Sequence, residues 1–130
     1  MIVAEDHPHV RKEITRFLDT HFDVVGAVED GQRLVEAAGL LQPDVIVSDI
    51  SMPELTGPEA MRQLKNLRHD IPFVLVSLDS SCADQWIEEG AAAFVHKSDM
   101  YLDLVAAIDA AAAGQTFLSR SARTLEESLF

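Results

Sequence analysis

Pro43-Asp44-Val45-Ile46-Val47-Ser48-Asp49-Ile50-Ser51-Met52-Pro53 is the stretch whose reading decides the fold. Its centre, Val45-Ile46-Val47-Ser48, is apolar and β-branched at consecutive positions. That is the pattern of a strand covered on both faces, as in a parallel sheet. The strand runs directly into a carboxylate at Asp49, and Pro53 fixes the path of the loop beyond it.

Working outward, Val24-Val25-Gly26-Ala27-Val28 and Phe73-Val74-Leu75-Val76-Ser77 have the same character, and Ile2-Val3-Ala4 and Ala93-Phe94-Val95 are shorter strands near either end. The segments between them have helical spacing. Val10, Ile14, Phe17 and Leu18 share a face, as do Leu34, Ala37, Ala38 and Leu41. Met61, Leu64 and Leu67 form a third set, Ala83, Trp86, Ile87 and Gly90 a fourth, and Leu104, Val105, Ile108 and Ala112 a fifth. Pro8 and Pro58 suit a first helical turn, Ser98 and Asp99 a helix N-terminus, and Gly114 a helix end. The chain is therefore α/β: five β-α units forming a parallel sheet with helices on both faces. Sites in such folds lie at the carboxyl ends of the strands. Residues 114–130 read as a tail or linker, with a short helix from Ser121 to Ser128.

Composition narrows the function. The 130 residues suit one domain, and a 48% apolar fraction can bury its core. With 22 Asp and Glu against 10 Lys and Arg, the net charge of −12 argues against direct nucleic-acid binding by this chain. Cys82 is the single cysteine, which excludes an intramolecular disulfide and a zinc site of several thiolates. Glu5 and Asp6 arrive too soon for a signal peptide, and no apolar run reaches the roughly 18–20 residues that span a bilayer. A cytoplasmic protein without membrane contact is expected.

The strand ends carry the chemistry. Glu5 and Asp6 follow the first strand and Asp49 the third, so the fold brings three carboxylates together. Read alone, Glu5-Asp6 could equally be acids at a helix N-terminus. The other strand ends shift that balance: Ser77 closes the fourth strand with a hydroxyl, and Lys97 follows the fifth with a lone ammonium. An all-oxygen acidic cluster favours a hard cation, and Mg²⁺ fits best because it keeps waters that a phosphate can replace. The hydroxyl and ammonium are donors suited to phosphoryl oxygens.

These residues resemble the receiver domain of bacterial two-component systems. The matched pieces are Glu5-Asp6-His7-Pro8, the stretch from Pro43 to Pro53, Gly57, Ser77, and Gly90-Ala91-Ala92-Ala93-Phe94-Val95-His96-Lys97. The resemblance covers residues 1–113. The Asp-His-Pro start and Gly114-Gln115-Thr116-Phe117-Leu118-Ser119 after an Ala-rich helix look most like the NarL/FixJ subfamily. Its members usually carry a LuxR-type helix-turn-helix, which this sequence lacks, so an output domain is expected beyond residue 130.

The resemblance implies a flavodoxin-like, doubly wound sheet of five parallel strands in the order 2-1-3-4-5. It implies that Asp49 accepts a phosphoryl group from a sensor histidine kinase or a phosphotransfer protein. Glu5, Asp6, Asp49 and the main-chain carbonyl of Ser51 would hold Mg²⁺, with Mn²⁺ as a substitute. Ser77 and Lys97 would bind phosphoryl oxygens, and Phe94 would be the switch aromatic that turns inward as Ser77 moves. The family is a phosphoacceptor switch with self-catalysed phosphotransfer and autodephosphorylation, not an enzyme for an outside substrate. It controls an output, here a transcriptional domain, and a homodimer is compatible with that role.

Leu78 departs from the family, which usually has a small residue there to leave the phosphoryl path open, and Asp79 adds negative charge nearby. Both are expected to tune access. Leu78 also keeps open a phosphorylation-independent pseudo-receiver that acts as an interaction module. A haloacid-dehalogenase-like phosphatase is disfavoured, because that family needs a second Asp where this chain has Ser51. His7 and His9 read as helix-start residues rather than zinc ligands, His96 as solvent-facing, and Trp86 as packing.

Overall fold

The structure is a computed structural model that describes residues 1–127, with side chains described through Arg123. Strands and helices alternate: β1 (Ile2–Ala4), α1 (Pro8–Asp19), β2 (Gly26–Val28), α2 (Gly31–Leu41), β3 (Ile46–Asp49), α3 (Gly57–Asn66), β4 (Phe73–Ser77), α4 (Ala83–Glu88) and β5 (Ala93–His96). A single 3₁₀ turn, Lys97–Asp99, leads into α5 (Met100–Ala112), β6 (Phe117–Leu118) and α6 (Arg120–Glu127).

The sheet runs β2-β1-β3-β4-β5-β6, and every pair is parallel. The first five strands follow the expected order 2-1-3-4-5. The expectation of five strands is corrected to six, because Phe117 and Leu118 pair with Ala93 and Phe94. A two-residue strand has no periodicity to read; the free edge of β5 supplies its pairing. The segment read as a tail thus returns to the sheet, and a helix follows it. Ser128, the far end of the expected helix, lies outside the described residues.

Alternation along the strands sorts the core into two layers. Ile2, Phe73, Leu75 and Phe94 face Leu34, Ala38, Ala60 and Leu64 on α2 and α3. Val3, Val74, Val76 and Val95 face Ile14, Leu18, Leu104 and Ile108 on α1 and α5. Both faces of each central strand are covered, which is why β3 and β4 read as unbroken apolar runs.

Caps set the helix starts that border the sheet's carboxyl edge. His7 Nδ1 accepts from the Val10 N–H at 3.3 Å, so His7 does begin α1. Asp30 caps α2 by accepting from the Arg33 N–H at 2.8 Å. Thr56 and Glu59 form a reciprocal capping box on α3. Gly57 opens that helix against the strand end: a Cβ there would collide with the carbonyl oxygen of Asp49. No helix among the described residues is long and apolar enough to cross a membrane.

Candidate functional site

Strand pairing builds an acidic cluster at the carboxyl edge of the sheet. Ala4 stands opposite Ser48, so the next residues, Glu5 and Asp49, emerge side by side. One carboxylate oxygen from each of Glu5, Asp6 and Asp49 lies within 4.8 Å of the others. Glu5 and Asp49 are buried, whereas Asp6 is exposed. The cluster is thus walled by protein on one side and open to water on the other.

Lys97 reaches this pair from the turn just after β5, across the intervening β4. Its Nζ donates to Asp49 Oδ2 at 3.1 Å and lies 3.4 Å from Glu5 Oε2. Burial raises the Glu5 carboxyl to about 7, and the neighbouring Asp49 adds to the rise; Lys97 and the His7 N–H oppose it. Burial also works against the Lys97 charge, but Asp49 and Glu5 outweigh it and its pKa is raised. Carboxylates this close share a proton or a cation. An all-oxygen donor set, two buried carboxylates and one wet side fit a hard divalent ion that keeps several waters.

The backbone around Asp49 is held from several directions. The Ser48 hydroxyl donates to the Asp49 carbonyl at 2.8 Å, the Ile50 N–H donates to the Val76 carbonyl at 3.1 Å, and the Gly57 N–H donates to the Ile50 carbonyl at 2.9 Å. These bonds leave the backbone that carries the Asp49 carboxylate little freedom.

Comparison with known proteins agrees with this geometry. The family model of the response regulator receiver domain matches residues 1–109. The chain belongs to the response regulator receiver domain family. Among curated relatives, the transcriptional regulatory protein YdfI of Bacillus subtilis (strain 168) is 30% identical over 122 residues, covering 91% of this chain and 57% of that protein. The response regulator GacA of Pseudomonas viridiflava is 33% identical over 123 residues, covering 92% and 58%. The chain therefore spans well under two thirds of these relatives. Among solved structures, a LuxR-family two-component response regulator from Aurantimonas sp. SI85-9A1 superposes with a TM-score of 0.90 at 27% identity, covering 99% of this chain and 96% of that one. The isolated receiver domain of RcsB from Salmonella enterica serovar Typhimurium, solved in the presence of phosphomimetic BeF₃⁻, gives 0.85 at 25% identity, covering 95% of each.

The other singled-out positions of this receiver domain are also placed. Ser77 ends β4, and its hydroxyl accepts from the Asp79 N–H at 3.1 Å. Ser51 lies exposed in the β3–α3 connection. Leu78 is 71% exposed, so its side chain stands in solvent rather than in packed structure. Asp79 is exposed and accepts from the Ser81 N–H at 2.9 Å. Phe94 has its ring fully buried in the α2–α3 layer, beside Leu75 on β4 and Leu118 on β6. A Phe has no hydroxyl to hold at the surface, so burial of the whole ring is its stable position.

Two groups of polar residues escaped the sequence reading. His96 is not merely solvent-facing: Nε2 lies 2.8 Å from the Leu78 carbonyl oxygen and Nδ1 lies 3.1 Å from the Ser98 nitrogen. Its place between a strand end and Lys97 was the available signal. Asp99 and Asp103 are buried and bind the C-terminal segment. Ser98 and Asp99 do precede α5, but Asp99 makes no cap; it accepts from the Ser121 N–H at 3.0 Å and hydroxyl at 2.9 Å. Asp103 takes the Arg120 N–H at 2.8 Å and the guanidinium at 2.8 Å. An acid inside the apolar Ala-rich helix was the signal for Asp103.

Proposed function

We propose that this receiver domain is a cytoplasmic phosphorylation switch with Asp49 as the acceptor. The observation that carries the reading is the buried Asp49 carboxylate, held by Lys97 beside Glu5 and Asp6 at the end of β3. A carboxylate oxygen of Asp49 forms the new bond to phosphorus. The P–N bond of a phosphohistidine breaks, and the imidazole leaves with the electron pair. The donor is a sensor histidine kinase or a phosphotransfer protein.

Glu5, Asp6, Asp49 and the Ser51 carbonyl would hold Mg²⁺, or Mn²⁺ in its place. The ion supplies charge neutralisation for the phosphoryl oxygens. Ser77 and Lys97 donate to two of those oxygens, and Lys97 balances part of the added charge of about −1.5 to −2. The same residues support transfer and later hydrolysis of the acyl phosphate, so catalysis stays within the domain. The changed surface controls an output domain, transcriptional by analogy with the relatives, and a homodimer is one form that change can take. DNA is reached only through that output domain.

The test is mass spectrometry after incubation with a small phosphodonor and Mg²⁺. The wild type gains one phosphoryl group on Asp49, and Asp49→Asn gains none there. Equal labelling of that variant at another residue would sink the assignment.

A further inference from the structure

The β4–β5 ladder ends at the pair Ser77 and His96. Beyond it, the two loops that carry the phosphoryl donors diverge, one through Leu78 and the other through Lys97. The His96 ring bridges them. Its Nε2 lies 2.8 Å from the Leu78 carbonyl, which can only accept, and its Nδ1 lies 3.1 Å from the Ser98 N–H, which can only donate. Those partners assign a neutral ring protonated on Nε2. The Ser98 hydroxyl, 2.7 Å from Nδ1, completes the arrangement. One imidazole thus ties the residue after Ser77 to the residue after Lys97.

We propose that His96 is a positioning residue for the phosphoryl group, locking the Ser77 loop to the Lys97 loop so that hydroxyl and ammonium keep one spacing. This rests on the reading of Asp49 as the acceptor. A hydroxyl and an ammonium that must meet two oxygens of one small group need a set separation, and donors that arrive pre-placed bind more strongly than donors that must be gathered. The Ser77 hydroxyl accepts from the Asp79 N–H at 3.1 Å, so its place follows the Leu78–Asp79 backbone that the ring holds. His96 acts through Ser77 and Lys97 and need not touch the phosphoryl group. Its ring is partly exposed, so water can take over the Leu78 carbonyl when the ring is removed, and the fold survives.

The experiment measures the affinity for beryllofluoride with Mg²⁺, by calorimetry, in the full chain. His96→Leu is expected to weaken binding roughly fivefold, the worth of about one net hydrogen bond, at a melting temperature close to wild type. His96→Gln can place an amide N–H toward the Leu78 carbonyl and should recover most of the loss. In a Ser77→Ala background, His96→Leu should add little, because the spacing that His96 sets between hydroxyl and ammonium no longer has a hydroxyl at one end. Unchanged or tighter binding by His96→Leu, or a full additional loss in the Ser77→Ala background, overturns the proposal while leaving the Asp49 reading intact. Failure of the wild type to bind beryllofluoride removes both.

Discussion

Glu5 loses most from being ionised, because it is buried beside a second buried carboxylate. Its folded pKa, about 7, stands above the ordinary 4.5 of the unfolded chain. The folded state therefore binds more protons between these values, and stability falls as pH rises through that window. The cost is complete above about pH 7 and is on the order of 3 kcal/mol. Urea unfolding in EDTA should show Glu5→Gln as the more stable protein at pH 8 and nearly equal to wild type at pH 4.5. Parallel curves at every pH would show that Lys97 already neutralises the site. A divalent ion held as proposed would reverse the balance, since ionised Glu5 would then be a ligand. Binding to the native state alone adds RT ln(1 + [L]/Kd), roughly 2.7 kcal/mol at a hundredfold excess over Kd. Melting with saturating Mg²⁺ against EDTA should show this gain in the wild type and little of it in Asp6→Asn. Equal melting temperatures for the wild type in both conditions would remove the ion site.

At the scale of elements, β6 and α6 depend on two buried acids more than on their own sequence. A two-residue strand offers few ladder bonds, and the start of α6 is fastened through Arg120 and Ser121 to Asp103 and Asp99. Arg120, ahead of the other partners, holds the Asp103 carboxyl below the usual range, despite burial. A lowered folded pKa stabilises above the unfolded value, so this attachment persists at neutral pH and loosens in acid as pH falls through the folded value. Asp103→Ala removes the acceptor of both the Arg120 N–H and the guanidinium. Hydrogen exchange across Phe117–Arg123 should then accelerate about tenfold, with β1 and β3 unaffected. An unchanged rate would mean that strand pairing and Ser119, which accepts from the His96 N–H at 2.9 Å, suffice to hold the segment.

For the whole molecule, the question is what moves when Asp49 is modified. Phe94 is buried in this structure, and the proposed switch is expected to work without its ring turning in from solvent. Its ring is packed as core, and Phe94→Ala should cost about 3–5 kcal/mol in chemical denaturation, as a large buried side chain does. The parts expected to respond are the loop after Ser77 and the segments linked to it through His96, Asp99 and Ser119. Hydrogen exchange with and without beryllofluoride should change at residues 77–82 and 117–123, and remain level at Phe94. Ser77→Ala should blunt the response, and Lys97→Ala should blunt it more. A change centred on Phe94 would restore the turning ring.

Sequence alone was enough for the alternation of five strands and five helices, the burial of both sheet faces, and the placing of Asp49, Ser77 and Lys97 at strand ends. Those features are local: hydrophobic period and turn residues act within a dozen positions. Strand β4 was legible to the residue, as Phe73–Ser77, because both its faces are apolar and a polar residue closes it. Tertiary structure decided the rest. The 3.1 Å approach of Lys97 to Asp49 spans 48 residues and depends on sheet register, which no local pattern encodes. The sixth strand needed the free edge of β5, the inward Phe94 needed the space beside Leu75 and Leu118, and the His96 ring found its acceptor only where two strand ends stop in register. Hydrogen-bond partners and packing space belong to the assembled sheet, so they become visible only when it is assembled.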